Sequence, residues 1–399
     1  MEIKETENSY INLSGLQIIF MATSIGIIVA NMFYIQPIEP MITQSFGVSA
    51  STTSILGMLA QASYALGLLF LVPLGDLFNR YYLLQIMELI SSLALLLAFI
   101  SPNVYLFGIA TFIIGLTSIG GQIVIPYAAY LTPIDKQGPL LGSLISGMLT
   151  GILFARTFSG IIAASLGWHA VYGVAAVLNI LLLIFMHYLI PQDPRIKPAA
   201  NNYGEIISSL PKLFKKYRYL RGSALNAFAL FGIANLFWGT LSFLLEKYYG
   251  FGSEVAGSMG LLGVVSIFAA PFIGKMVDKY SPKTNIRISW LLGAISFIIF
   301  SIFIKNIWML MIGIIILDLS TQFSQVTNQA IIQSLSRKEN SRNNSIFMFS
   351  YFIGGSIGTM IGINAWSIFG WSGVAGAAAI FLLIALIGYK TLGTPDELE

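Results

Sequence analysis

Twelve apolar segments follow one another through the 399 residues. They run at about 14–37, 50–73, 81–100, 104–131, 139–165 and 169–190, then 220–246, 254–277, 285–304, 307–334, 344–369 and 371–392. Each is close to the length a helix needs to cross the roughly 30 Å hydrocarbon core of a bilayer. All are too long for barrel strands and lack their alternation. Helices are the remaining structure that satisfies its own backbone polar groups in lipid. Only 10% of residues are charged, against about 25% in a typical soluble domain. A water-soluble globule could not cover its apolar surface with so few charges. The chain therefore reads as an all-α membrane protein of 12 transmembrane helices.

The sequence nearly repeats itself. Val-Ala-Asn-Met-Phe-Tyr at 29–34 matches Ile-Ala-Asn-Leu-Phe-Trp at 233–238, an offset of 204. Gly167-Trp168 matches Gly370-Trp371, Gly151 matches Gly354 and Gln122 matches Gln325, each at an offset of 203. This predicts two six-helix halves, 1–190 and 220–399, joined by a linker at 191–219. Both start on the same side, so they are parallel repeats about an axis normal to the membrane, with a solute site where the halves meet.

Charge sets the expected orientation. With both termini cytoplasmic, all 21 Lys and Arg except Lys247, Lys305 and Arg156 fall on the inner side, as the positive-inside rule requires. In the linker, Ile206, Ile207, Leu210, Leu213, Phe214 and Tyr217 recur near helical spacing, interleaved with Lys212, Lys215, Lys216 and Arg218. That pattern predicts a basic amphipathic helix at the membrane surface, serving as a tether or as a lipid-binding element.

Several chemistries are excluded. There is no cysteine, hence no disulfide, thiol catalysis or thiolate metal site. His169 and His187 have no partners at metal-ligand spacing. No phosphate-binding Gly-x-x-x-x-Gly-Lys-Ser/Thr run occurs, which argues against a nucleotide-driven pump. The basic residues are scattered between apolar spans, so the net charge of +4 is no nucleic-acid footprint. No secretory signal is evident, because Glu2, Glu5 and Glu7 crowd the start. The expectation is no enzyme, no cofactor and no metal.

Two loops carry a family resemblance. Gly274-Lys275-Met276-Val277-Asp278-Lys279-Tyr280-Ser281-Pro282-Lys283 and Gly75-Asp76-Leu77-Phe78-Asn79-Arg80 resemble the cytoplasmic signature of the major facilitator superfamily, Gly-x-x-x-Asp-Arg/Lys-x-x-x-Arg/Lys. The second copy fits. The first has Asn79 at the Asp position, Asp76 directly after the Gly, and Leu83 in place of the last basic residue. The resemblance implies the major facilitator fold and a gating latch formed by Gly75, Asp76, Arg80, Gly274, Asp278 and Lys279. The run from Ala30 to Pro37 and the run from Asp318 to Gln329 look like a bacterial branch related to arabinose- and drug-efflux permeases. An antiporter motif, Gly-Pro-x-x-Gly-Gly, is absent from the fifth segment, which reads instead from Gly147 through Arg156 to Gly160.

Charges inside a span cost about 3 kcal/mol on insertion scales and need a reason. Arg156 lies deep in segment 5, opposite Thr359 in the repeat. It either holds an anionic group of a solute or makes a structural ion pair. Asp318, with no basic residue within ten positions, is the first choice for proton coupling; Glu88, two turns into segment 3, is the second. Asp318, Gln322, Gln325, Gln329 and Gln333 form one helical stripe. Asn235 and Trp238 begin another, with Asn31 and Tyr34 as its counterpart. Gln122 and Tyr127 on segment 4 complete the expected solute-binding set. Glu39 is placed in an extracellular loop. Glycines at small-xxx-small spacing in segments 5 and 11 predict close helix packing.

The resemblance and the polar set together imply a secondary active transporter working by alternating access. It would export a small organic solute by proton coupling, as a monomer in the lipid of the bacterial cytoplasmic membrane. Proton-coupled import of an organic anion is the second reading, and a channel or non-transporting sensor the third.

Overall fold

The computed structural model describes residues 13–133, 136–192, 203–336 and 339–392. Both chain ends lie outside these bounds, as does the start of the linker. The expected cytoplasmic termini therefore fall on residues that are not described.

The first half contains α1 (Gly15–Ala30), α2 (Glu39–Phe46), α3 (Ala50–Phe70), α4 (Arg80–Phe99), α5 (Val104–Thr117), α6 (Gly120–Leu131), α7 (Gln137–Leu166) and α8 (Trp168–Leu189). The linker folds as α9 (Tyr203–Lys216). The second half contains α10 (Arg218–Tyr249), α11 (Ser253–Ser258), α12 (Val264–Lys279), α13 (Pro282–Ile302), α14 (Ile307–Leu335), α15 (Asn340–Phe369) and α16 (Trp371–Leu392). Among the described residues, ten helical stretches are long and apolar enough to cross a membrane, with α5 and α6 forming one of them.

The first and eighth expected segments are the two missing from these ten. After α1 the chain makes a turn at 31–35 and one 3₁₀ turn at Gln36–Ile38 before α2 begins. Pro37 and Pro40 lack the amide protons a continuous helix needs. This fold-back corrects the reading of Glu39 as an extracellular loop residue: its side chain is fully buried. In the eighth segment, α11 and α12 are separated by a 3₁₀ stretch, Met259–Gly263. A Cβ on Gly257 would lie 2.4 Å from the Arg156 carbonyl oxygen, so α7 packs directly on this backbone.

Polar residues start the helices. Side chains of Ser14, Ser49, Asn79, Asn103, Ser281 and Asn306 each accept a hydrogen bond from an amide of the following first turn, meeting donors the helix itself leaves open. Asn79, which stands where the family signature has Asp, has this as its observed role: its Oδ1 accepts from the Tyr81 amide at 2.9 Å.

The repeats produce matched local structure. Gly167 and Gly370 take φ of +86° and +61°. Each lets the chain turn from one long helix into the next within a single residue, at a backbone angle that penalises any Cβ. A Cβ on Gly151 would lie 2.2 Å from the Gly26 carbonyl oxygen, and one on Gly358 2.1 Å from that of Gly232. So α1 against α7 and α10 against α15 approach backbone to backbone. Without water to drive apolar surfaces together, such packing is how helices associate in lipid.

One core cluster centres on the first half and a second lies within the second half. On the side away from α9 the halves meet directly. Gln44 Nε2 donates to Glu246 Oε1 at 3.3 Å, Asn364 Nδ2 to Ser54 Oγ at 2.8 Å and Ser253 Oγ to the Gly160 carbonyl at 3.2 Å. On the other side α9 bridges them. Tyr203 donates to the Phe70 carbonyl at 2.8 Å, Arg342 to Ser209 Oγ at 3.1 Å, and Lys216 pairs with Glu339 at 3.0 Å.

Candidate functional site

Between the halves lies a cavity of about 150 Å³. Asp318 and Arg156 reach it from opposite halves, on α14 and α7. The Arg156 guanidinium carbon sits 4.0 Å from the ring centroid of Trp238 and 5.2 Å from that of Phe33. Its Nε donates to Gln36 Oε1 at 2.8 Å. Trp238 turns its indole N–H towards Asp318, 3.4 Å from Oδ1. One indole thus carries a cation on its face and a carboxylate at its edge. A guanidinium over an aromatic face is worth about 2 kcal/mol or more when desolvated, which helps hold Arg156 in a site where it is 9% exposed.

An amide network closes the cavity on the side away from α9. Asn235 Oδ1 accepts from Gln36 Nε2 at 3.2 Å and from Gln61 Nε2 at 3.0 Å. Gln61 Nε2 also lies 3.0 Å from Thr359 Oγ1, and Ser242 donates to the Gln36 carbonyl at 2.9 Å. Gln36 and Gln61 come from the first half; Asn235, Ser242 and Thr359 come from the second. The remaining wall mixes rings of Tyr64, Phe231, Tyr351 and Phe352 and aliphatic side chains with the polar side chains of Gln122, Ser266, Thr321, Gln322 and Gln325.

Of the residues singled out in the sequence, Gln122, Arg156, Asn235, Trp238, Asp318, Gln322 and Gln325 line this cavity. Four others lie elsewhere. Asn31 Nδ2 donates to Asn179 Oδ1 at 3.0 Å within the first half, while its repeat mate Asn235 bonds across the interface. Tyr34 is not among the lining residues; its ring is tilted by 37° against that of Phe158, with centroids 5.7 Å apart. Tyr127 donates to the Pro191 carbonyl at 2.6 Å. Glu88 is buried inside the first half, where Oε1 has no hydrogen-bond partner among the described residues.

Reasoning from sequence alone passed over Gln36 and Gln61. Each is an amide in an apolar run, the same signal that identified Asn31 and Asn235. Gln36 stands inside the quoted Ala30-to-Pro37 run.

Below the cavity, towards α9, lies a second one of about 260 Å³, lined by Arg80, Pro126, Ile206, Leu210 and Arg342. Gln122 and Met348 line both, so the two meet there. Of the gating residues, Arg80 Nε donates to the Gly75 carbonyl at 3.0 Å. The Lys279 ammonium lies 5.4 Å from the Tyr280 ring centroid, and a Cβ on Gly274 would meet open space. The side chains of Asp76 and Asp278 lie outside the described residues.

A cavity at the junction of two repeated halves, closed on one side and continued on the other, is the geometry of a transporter. The comparisons with known proteins agree. An uncharacterized transporter of Escherichia coli O157:H7, YgaY, is 34% identical over 377 residues, covering 94% of this chain and 95% of that protein. A probable transporter of Streptomyces coelicolor is 27% identical over 366 residues, covering 91% and 84%. Among solved structures, a bacterial homologue of the human lysosomal transporter Spinster, inward-facing and occupied, superposes with a TM-score of 0.75 at 13% identity, covering 94% of this chain and 96% of that one. The family model described as Major Facilitator Superfamily matches residues 21–300 and again 259–398. The chain belongs to the major facilitator superfamily, whose members are multi-pass membrane transporters.

Proposed function

We propose that this transporter exports a small organic solute in exchange for protons across the bacterial cytoplasmic membrane. The observation that carries the reading is the placement of Asp318 and Arg156, from opposite halves, on either side of Trp238 in one cavity. A carboxylate there interacts with a charge on the other half, so gaining or losing a proton changes the free energy of bringing the halves together. Differential stabilisation of two states is what coupling requires.

The wall suits a solute with a flat apolar body and few polar groups. About 150 Å³ is the volume of a cavity that takes benzene, so a single-ring molecule fills it in this conformation. Positive-inside charge assigns the α9 side to the cytoplasm, which makes this the outward-closed state. Gly75, Asp76, Arg80, Gly274, Asp278 and Lys279 are proposed to latch the cytoplasmic side when the cavity opens outward.

Presence of Arg156 in the cavity favours one second reading, proton-coupled import of an organic anion. The two separate in everted membrane vesicles carrying a pH-sensitive dye. Adding an exported solute should drain an imposed proton gradient, and an imported anion should not. Asp318→Asn should abolish gradient-driven movement while leaving solute exchange intact. Unchanged gradient-driven accumulation in that variant refutes the role given to Asp318.

A further inference from the structure

On the flank of the second half, away from the central cavity, a groove of about 310 Å³ opens between α10, α13 and α16. Its floor is apolar, formed by Ile286, Leu291, Ala385 and Leu386. Its polar groups are donors. Asn226 is 2% exposed. Its Oδ1 is occupied by Ser324 Oγ at 3.0 Å and Asn328 Nδ2 at 2.8 Å, while its Nδ2 has no partner among the described residues. The Tyr389 hydroxyl, also buried, likewise has none among them. At the rim the exposed Arg287 guanidinium lies 5.7 Å from the Tyr389 ring centroid.

The repeat shows that this corner is not a generic product of the fold. At an offset of 204 the counterpart of Asn226 is Ala22, and at 203 that of Tyr389 is Met186. Counting from the caps Asn79 and Ser281, the counterpart of Arg287 is Gln85. So three donors stand where the first half has two apolar residues and a neutral amide. The first-half amide is satisfied internally: Gln85 Nε2 donates to Tyr81 Oη at 2.8 Å, and that hydroxyl lies 3.4 Å from His187 Nδ1. Unpaired buried donors cost about 1–3 kcal/mol each, so keeping two beside a cation on a lipid-facing groove points to an acceptor that arrives from outside.

We propose that this groove is a binding site for an anionic phospholipid of the cytoplasmic leaflet. Its phosphodiester would sit between Arg287 and Tyr389, an ester oxygen would reach Asn226, and an acyl chain would lie along Leu291 and Leu386. Arg287 is five residues into α13 and Tyr389 three residues from the end of α16, the depth of the headgroup boundary. A basic pocket between helices on this face is where such headgroups bind.

Native mass spectrometry of the purified full-length protein tests it, with phosphatidylglycerol and phosphatidylcholine titrated separately. The wild type should hold one phosphatidylglycerol about tenfold more tightly than phosphatidylcholine. Arg287→Gln should remove that preference and Arg287→Lys should keep most of it. Leu291→Trp, which fills the groove, should lose the bound lipid while the cationic rim remains. Millimolar inorganic phosphate should not displace the lipid. Equal retention of the two lipids by the wild type, an unchanged preference in Arg287→Gln, or displacement by phosphate would each overturn the proposal.

Discussion

On the orientation proposed above, opening the outward side requires α7 and α11 to part, and Gly160 sets how tightly they close. A Cβ at this position would lie 2.3 Å from the Ser253 carbonyl oxygen and 3.1 Å from Gly257 Cα. Side-chain carbons do not approach an oxygen that closely, so in Gly160→Ala the two backbones must separate by about 0.7 Å or more, at an overpacking cost of about 1–3 kcal/mol. The clash exists only in the outward-closed state, so the ratio of closed to open molecules should fall by about 5- to 150-fold. Helix propensity favours Ala over Gly by up to about 1 kcal/mol in both states, which raises overall stability and leaves the ratio unchanged. Gly138→Ala controls for that, because Gly138 lies near the other end of the same helix and its Cβ meets open space. The chain has no cysteine, so Gln44→Cys with Glu246→Cys gives a specific spin-label pair across the outward contact. The short-distance population measured by pulsed electron resonance should shrink in Gly160→Ala and stay unchanged in Gly138→Ala. Identical distributions in the two variants would refute the assignment of this contact as the outward gate.

Three further outcomes can be checked. Gln61→Ala removes the bonds to Asn235 and Thr359 across the halves, at about 1–2 kcal/mol; the same spin-label pair should report a five- to thirtyfold shift towards the open state, and no shift would show that the amide network does not hold the gate. Trp238→Ala removes the ring that Arg156 covers and the donor to Asp318, so gradient-driven transport of single-ring solutes should fall at least tenfold; retention of wild-type rates would take Trp238 out of the site. Beside α9, the Tyr217 hydroxyl and then the Lys216 ammonium hold Glu339 below its usual carboxylate range. A depressed folded-state value means that the contact stabilises docking above the ordinary Glu pKa of about 4.3 and is lost as pH falls through the lower one. Protease resistance of α9 should therefore be flat from neutral pH to about pH 5 and decline below about pH 4, whereas Glu339→Gln should be pH-independent; a decline near neutrality would mean another group controls docking.

Hydropathy and repeats made most of the architecture legible, because length and apolarity are what lipid demands of a span. Gly167 and Gly370 could be paired from sequence since only a residue without Cβ turns the chain there. The breaks after Ala30 and within 254–277 were not legible. Pro37 sits near the end of an apolar run, where spans also stop, and the close approach of Gly257 to α7 is a tertiary contact that local sequence does not carry. Site residues divided along the same line. Charges in apolar runs, Arg156 and Asp318, announce themselves by cost. Amides do not, since Asn31 and Asn235 look alike in sequence and differ only in which half supplies the partner. Glu39 was misplaced because it follows the end of the first apolar run, whereas burial depends on what packs alongside.

Gln122 and Met348 stand at the boundary between the central cavity and the one beside α9. Side chains at such a boundary move by changing rotamer within their own half; parting helices packed backbone to backbone moves the halves themselves and takes microseconds or longer. The two doors of this chamber therefore differ in mass. A solute passes between the central cavity and the one beside α9 without the halves parting. Exchange between those two chambers therefore precedes each swing of the heavy door, and the rate of passage is set by that swing.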